Sequence, residues 1–190
     1  MGLQHMLIIE NKMLGINGEN IDKYLSILAE SNEGSLKGRS LSKPFEMAQT
    51  FYHGSPRGKI SCFIQSTAGS YGEGVYFADY DCAWEYANGS DENITSVWIK
   101  AINPYYYIAT YEAAEAFDLD SYAIDLILAL FEKDEAISII DKAIQNEYCH
   151  FNGEIKRRLK EMGHDCLVVS YEDESFEVIV LENLIIEVLE

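Results

Sequence analysis

The stretch "FYHGSPRGKISCFIQSTAGSYGEGVYFADYDCAWEYANG", residues 51–89, contains most of the residues that determine the fold and the candidate site. It begins with "FYHG" (51–54), an aromatic run bounded by turn formers, which predicts a short strand. Of the four histidines, only His53 falls at the end of such a strand. Gly54 follows it and has no Cβ, so a ligand could approach the backbone closely there. The stretch predicts either an ordinary aromatic turn or the wall of a pocket for a flat, polar ligand.

The glycine-rich segment "GSYGEGVYFAD" (69–79) has two readings. Gly69, Gly72 and Gly74 resemble a phosphate-binding loop, but no lysine follows them and they do not open a helix, so this reading is weak. We expect instead a mobile loop that leads into a strand, "GVYFA" (74–78).

Two tyrosines are placed to contact one ligand. The run "DYDCAWEYA" (79–87) has helical spacing, with Asp79 or Asp81 as its cap. Tyr76 would project from the preceding strand and Tyr86 from this helix. Two such rings can sandwich a planar heterocycle, each contributing ~1–3 kcal/mol by analogy with base stacking. The alternative is ordinary core packing, which explains the same tyrosines equally well.

An acidic residue interrupts an apolar strand near the end of the sequence. In "FEVIVLE" (176–182), alternation places Glu177 on the same face as Ile179 and Leu181. A carboxylate in an apolar layer is costly unless it is paired or functional. Glu177 is therefore a candidate site residue.

The remaining patterns predict a single α+β domain over residues 1–190. The first 50 residues form an N-terminal extension, with a helix at 20–31 and a loop with a short helical turn at 35–50. The other predicted elements are a strand at 96–102, a helical block at 111–148 in which Ile137, Ile140 and Ile144 share a face, a helix at 152–163 from Asn152 to Gly163, and strands in "DCLVVSY", "FEVIVLE" and "LIIEVL", the first two joined by a hairpin turn at "EDES".

The composition restricts the class of partner. The chain has 190 residues, 48% of them hydrophobic, which is enough for a substantial core. With 32 acidic and 14 basic residues, its net charge of −18 repels a phosphate backbone and hints at a basic partner. The one basic cluster, "IKRRLK" (155–160), is either the rim of a site or, as we favour, a solvated helix face.

The start of the sequence lacks the pattern of a signal peptide, and no apolar run is long enough to span a membrane.

The four cysteines lack the spacing of a zinc site. We expect reduced core thiols in a cytoplasmic protein, or in one delivered into a host cytoplasm.

The order of these motifs resembles a known class of enzymes. A histidine–glycine–serine strand, a "GEGVYFAD" strand, a helix with a tyrosine and a late glutamate strand are similar to the H-Y-E class of ADP-ribosyltransferases, which includes diphtheria toxin and the PARP-like enzymes. The pattern is most similar to the small domains of phage and bacterial polyvalent proteins. The shared motifs are "YHGSP", "GEGVYFAD", "AWEYA", "VWIKAINPYYY", "GHDCLVV" and "FEVIVLENLIIEV", while residues 1–50 and 105–150 lie outside the resemblance.

The resemblance implies a split, two-sheet fold that binds NAD+ in the cleft between the sheets. It assigns His53 to the adenosine ribose, the backbone of Gly54 to the nicotinamide amide, and Glu177 to a hydroxyl of the nicotinamide ribose. Tyr76 and Tyr86 would stack on the nicotinamide. The implied catalytic residues are Glu177, His53 and Tyr76, and the implied NAD+-binding residues are His53, Gly54, Ser55, Gly74, Tyr76, Phe77, Ala83 and Tyr86.

Two positions depart from the family pattern. Ala83 stands where poly-ADP-ribosylating relatives have a serine that binds the carboxamide, although Cys82 is adjacent to it. Arg57 is the only candidate for the arginine of the donor loop, which leaves the pyrophosphate contact unassigned.

The resemblance implies an NAD+-dependent mono-ADP-ribosyltransferase that needs no metal and modifies a macromolecule, with a protein as the leading acceptor. The alternatives are modification of RNA or DNA, hydrolysis of NAD+, and a catalytically inactive module that binds an NAD-like ligand or a protein.

Overall fold

The computed structural model describes residues 45–109, 121–145, 151 and 153–189. Contacts within the chain divide it into two compact units. One comprises residues 47–110 and 149–190, and the other includes residues 111–148. The predicted helix at 20–31 and most of the loop at 35–50 lie outside the described residues, and the single domain over 1–190 remains a prediction.

The first unit is built on a mixed β-sheet. Its eight described strands are β1 (Phe51–Gly54), β2 (Ser66–Gly69), β3 (Gly72–Ala78), β4 (Ile94–Ile99), β5 (Pro104–Ile108), β6 (Cys166–Ser170), β7 (Phe176–Val180) and β8 (Ile186–Val188). Seven of them run in the order β5-β6-β7-β3-β1-β4-β8, and β2 pairs with β3. The pair β5–β6 is parallel and the other pairs are antiparallel. Together with the helices, this sheet confirms the α+β class.

The sheet opens between β1 and β3. β3 pairs with β7 over Val75–Ala78, but its pairing with β1 is confined to Tyr52 and Ala78. At its other end β3 pairs with β2. The split that the resemblance implied is therefore one weak junction within a continuous path of paired strands. The strand segments on either side of this junction are free to line a cavity.

Helix α1 (Tyr80–Tyr86) follows β3 directly. It begins where the Asp79 carboxylate accepts a hydrogen bond from the backbone N–H of Cys82 at 2.8 Å, as a helix N-cap does. Asp79, rather than Asp81, is therefore the cap. The helix lies against β1 so closely that a Cβ on Gly54 would be 1.9 Å from the carbonyl oxygen of Ala83. The missing side chain of Gly54 makes room for α1, and not only for a ligand as the sequence suggested.

A second helix, α2 (Glu154–Glu161), contacts β3. It buries Ile155 and Leu159 and ends at Gly163, which has a positive φ of 86°. The N–H groups of Gly163 and His164 bond back to the carbonyls of Lys160 and Leu159, which satisfies the end of the helix in a Schellman motif. The predicted stop at Gly163 is confirmed, whereas Asn152 lies outside the described residues and Gly153 occupies the cap position.

The second unit contains two packed helices, α3 (Ala123–Leu130) and α4 (Lys133–Gln145). Their presence confirms the predicted helical block within its described part. Nearly all of α3 is buried, which is consistent with its apolar sequence "AIDLILAL". On α4, Ile140 is buried and Ile137 is half-buried, while the side chain of Ile144 lies outside the described residues.

Two predictions about the strands need correction, and one strand was missed. The segment expected to be a mobile loop is a hairpin formed by β2 and β3. The strand expected at 96–102 ends at Ile99, because Asp165 accepts hydrogen bonds from the N–H groups of Ile102 and Asn103 and holds a turn there. Strand β5, "PYYYI", was not predicted at all. No described helix is long and apolar enough to cross a membrane.

Candidate active site

A cavity of about 280 Å³ lies at the opening of the sheet and is lined by residues of β1, β2, β3, α1 and β7. Its volume is near the lower end of ligand sites, ~300–1,000 Å³, so it fits part of a dinucleotide better than all of it. The predicted site residues that line it are His53, Gly54, Gly74, Tyr76, Phe77, Ala83, Tyr86 and Glu177. Cys82 lines it as well, as its position beside Ala83 suggested.

Ser55 is the one predicted site residue that does not line the cavity. Its hydroxyl accepts a hydrogen bond from the backbone N–H of Arg57 at 3.3 Å, which places it in the turn after β1. The side chain of Arg57 is exposed and does not line the cavity either.

Glu177 faces the cavity because of the register between β3 and β7. Ala78 is its partner and Tyr76 is paired with Ile179, so the side chains of Glu177 and Tyr76 lie on the same side of the sheet. Burial raises the pKa of the Glu177 carboxyl, and a hydrogen bond from the Tyr171 hydroxyl opposes that rise. That hydroxyl lies 3.1 Å from Glu177 Oε2.

Tyr171 and Tyr71 are two residues near Glu177 that sequence reasoning missed. A signal for Tyr171 was available, because Val169 is opposite Glu177 in the β6–β7 hairpin. Alternation then puts Tyr171 on the same face, as a diagonal neighbour of the carboxylate. Tyr71 lies in the turn between β2 and β3, which the sequence did not identify as a hairpin.

The Tyr76 ring is held in place by its hydroxyl and by a close contact with β2. Its hydroxyl donates to the carbonyl of Gly72 at 2.7 Å and accepts from the backbone N–H of Tyr71 at 3.0 Å. The ring lies over Gly69, where a Cβ would be 2.0 Å from Tyr76 Cζ. Burial raises the pKa of Tyr76, so the phenol is neutral at physiological pH. The residue therefore offers a fixed aromatic surface rather than a charge.

His53 is fixed by β3 and by aromatic neighbours. Its Nδ1 lies 2.7 Å from the carbonyl oxygen of Tyr76, and because that oxygen can only accept, Nδ1 carries the proton. The ring packs edge-on against Phe63 and Phe77, with centroid distances of 5.4 and 5.8 Å. These contacts leave Nε2 as the ring nitrogen with which His53 can bind a ligand.

Helix α1 forms the opposite wall. Tyr86 is 63% exposed at the rim, and Ala83 is buried behind it. Burial, together with the nearby carboxylates of Asp79 and Glu177, raises the pKa of Cys82 to about 11. Cys82 is thus a neutral thiol at physiological pH, which makes it a poor nucleophile.

Of the three described cysteines, Cys166 is buried, whereas Cys62 is exposed and is not the core thiol expected.

The cavity has an unusual charge balance. Among the described residues that line it, Glu177 is the only carboxylate and none is lysine or arginine. Helix α2 carries the predicted basic cluster, but its cations are paired with carboxylates, and none lines the cavity. These pairs are Lys156–Glu73, Arg157–Glu154, Arg157–Glu161, Arg158–Glu161 and Lys160–Glu182. Within the described ranges no three metal-ligating side chains cluster.

The fold is α+β, and its sheet opens around a histidine, two tyrosines and a glutamate. This arrangement is typical of the H-Y-E class of ADP-ribosyltransferases. Comparison with protein families agrees with this class. The family described as "ADP-Ribosyltransferase in polyvalent proteins" matches residues 47–186, and the chain belongs to it. The match includes 105–150, which the motif comparison left out. Enzymes of this kind use NAD+ as co-substrate. Searches of curated proteins and of solved structures gave no match.

Proposed function

We propose that the protein is an NAD+-dependent mono-ADP-ribosyltransferase that modifies a protein. It would cleave the bond between nicotinamide and ribose and transfer ADP-ribose to an acceptor side chain. One observation carries the proposal: in a member of an ADP-ribosyltransferase family, the Glu177 carboxylate faces the same cavity as the Tyr76 ring and His53. The absence of lysine and arginine from the cavity lining also suits a ligand whose nicotinamide is cationic.

Cleavage of the bond between nicotinamide and ribose would be assisted by a carboxylate in this position. When the bond to nicotinamide breaks, its electron pair leaves with the nicotinamide and positive charge builds on the ribose. Glu177 would stabilise that charge by accepting a hydrogen bond from a ribose hydroxyl, and it would orient the acceptor or take its proton. Its partial burial strengthens this interaction, because charges interact more strongly where water is excluded.

The other cavity residues would bind and orient NAD+. Tyr76 and Tyr86 would stack on the nicotinamide, and Phe77 and Gly74 would shape the floor beneath it. His53 would accept a hydrogen bond from a ribose hydroxyl through Nε2. Gly54 lines the cavity where β1 and β3 are unpaired, which supports a backbone contact to the nicotinamide amide. Ser55 lies outside the lining, so we give it no contact with the nicotinamide.

A protein acceptor fits the charges better than a nucleic acid does. The net charge of −18 repels phosphate at long range, and the basic residues of α2 are paired with acids and lie away from the cavity lining. Nothing in the lining suggests a site for elongating a chain of ADP-ribose, so we propose a single transfer. We propose that the protein acts in the cytoplasm of its own cell or of a host cell, where NAD+ and reduced cysteines coexist.

The function is tested with NAD+ labelled in its ADP-ribose and a cell lysate as the source of acceptors. We expect free nicotinamide together with label that protease removes and nuclease does not. Label that nuclease removes would identify a nucleic-acid acceptor. Release of nicotinamide without any transfer would identify an NAD+ hydrolase. Binding of NAD+ without release would identify an inactive binding module and would overturn the proposed activity.

A further inference from the structure

The carboxylate of Glu177 is one end of a chain of hydroxyl groups. Tyr171 lies next along this chain, with its hydroxyl 3.1 Å from Glu177 Oε2. The hydroxyl of Tyr71 follows, 3.3 Å from that of Tyr171. Tyr71 itself is only 1% exposed, so its hydroxyl is held within the protein.

The direction of the hydrogen bonds follows from the number of protons. A carboxylate only accepts, and a tyrosine hydroxyl has one proton to donate. If Tyr171 donates to Glu177, it must accept from Tyr71. The chain of donors therefore runs from Tyr71 through Tyr171 to Glu177, and the Tyr71 hydroxyl orients that of Tyr171.

Tyr71 also connects this chain to Tyr76. Its backbone N–H donates to the Tyr76 hydroxyl at 3.0 Å, and that hydroxyl donates to the carbonyl of Gly72. The turn between β2 and β3 thus holds the Tyr76 ring through its backbone and the Glu177 carboxylate through the Tyr71 side chain.

We propose that Tyr171 is a positioning residue for Glu177, and that Tyr71 supports it from the β2–β3 turn. Tyr171 holds one carboxylate oxygen of Glu177, Oε2. Because Glu177 lines the cavity, the other oxygen, Oε1, would be left for a ligand. A hydrogen bond to the charged form of a carboxyl also favours ionisation, so Tyr171 keeps Glu177 in the state that the reaction needs. The role in turnover rests on the proposed function, whereas the effect on ionisation does not.

No other described group performs this task. The pKa values of Tyr71, Tyr76, Tyr86, Tyr171 and Cys82 are all raised, mainly by burial, so these groups are neutral. The titratable groups facing Glu177 or lining its cavity are Tyr52 and His53 on β1, Tyr71 in the turn, Tyr76 on β3, Cys82 and Tyr86 on α1, and Tyr171 after β6.

The first test compares Tyr171→Phe with the unmodified protein. We expect kcat for nicotinamide release to fall by about tenfold, the loss typical of one hydrogen bond to a charged group, with KM for NAD+ changed by less than about twofold. The acid limb of the pH profile should move to higher pH, because the pKa of Glu177 rises when the hydrogen bond that lowers it is lost. Tyr105→Phe is the matched control: it removes a hydroxyl outside the cavity, and its profile should not change.

The second test does not depend on turnover. The pKa of Glu177 is measured by NMR of the full-length protein labelled with ¹³C at the glutamate carboxyls, with Glu177→Gln used to assign the signal. Tyr171→Phe should raise this pKa, and Tyr71→Phe should raise it less, because the bond from Tyr171 remains. If Tyr171→Phe fails to fold, Tyr71→Phe still tests whether the hydroxyl chain lowers the pKa of Glu177.

An unchanged pKa of Glu177 in these variants would overturn the role of Tyr171, whether or not the protein cleaves NAD+. A raised pKa in a protein that releases no nicotinamide would support the positioning of Glu177 and would refute the proposed function alone.

Discussion

At the scale of single residues, Glu177 is where stability and function conflict. It lies in a strand whose other inward positions are apolar, and burial raises the pKa of its carboxyl. A buried carboxylate that serves only the fold is usually held by a cation, but the part of the cavity lining that the structure describes contains no lysine or arginine. Tyr171 provides a hydrogen bond and no charge. This agrees with the proposal that Glu177 is held ready for a cationic ligand.

This conflict predicts that Glu177→Gln stabilises the fold. Because the pKa of Glu177 is raised in the folded state, the stability that its protonated form contributes is lost as the pH rises through that pKa. At neutral pH the uncharged amide should give a higher unfolding temperature than the carboxylate. The difference should disappear below the ordinary pKa of a glutamate. Thermal unfolding at both pH values checks this, and a lower unfolding temperature of the variant at neutral pH would contradict it.

For Tyr76 we expect the ring, and not the hydroxyl, to determine NAD+ affinity. Tyr76→Ala should weaken binding by about tenfold, within the ~1–3 kcal/mol that a stacked ring contributes. Tyr76→Phe keeps the ring and should change affinity by less than about threefold. It should lower the unfolding temperature, however, because the Tyr71 N–H and the Gly72 carbonyl lose their partner. Calorimetric titration with NAD+ measures both variants, and unchanged affinity of Tyr76→Ala would exclude stacking.

At the scale of elements, the glycines of residues 51–78 allow strands, helix and aromatic side chains to pack closely. Gly54 admits α1 against β1, and Gly69 admits the Tyr76 ring against the β2 strand. A Cβ on Gly74 would lie 2.3 Å from a methyl group of Ile179 on β7. These contacts, more than the approach of a ligand, explain why the segment is rich in glycine.

Gly69→Ala should therefore damage the site through Tyr76. The added methyl group would lie about 2 Å from the ring, which real contacts do not allow, so the ring must move. We expect NAD+ affinity to fall by at least as much as in Tyr76→Ala, about tenfold. Thr67→Ala, an exposed position on the same strand, is the matched control. Unchanged NAD+ affinity of Gly69→Ala would show that the position of the ring does not matter.

At the scale of the whole molecule, the sequence predicted what depends on local pattern and on order. Alternation placed Glu177 on the correct face of its strand, and the histidine, tyrosine and glutamate motifs do converge on one cavity. What it missed depends on distant pairing. Strand β5 pairs with β6, about 60 residues further along the chain, and the short strand β2 is defined by its pairing with β3. The hydroxyl chain to Glu177 joins that turn to a second hairpin, so no single stretch encodes it.

The central claim is that this cavity cleaves NAD+ with the help of Glu177. Its most direct test is nicotinamide release from NAD+ by the unmodified protein and by Glu177→Gln, with Glu172→Gln, an exposed acid of the same hairpin, as the control. We predict that the unmodified protein and the control release nicotinamide at similar rates, and that Glu177→Gln is slower by about 10²–10³-fold while still binding NAD+. Equal rates for Glu177→Gln and the unmodified protein, or no release by the unmodified protein, would contradict the claim.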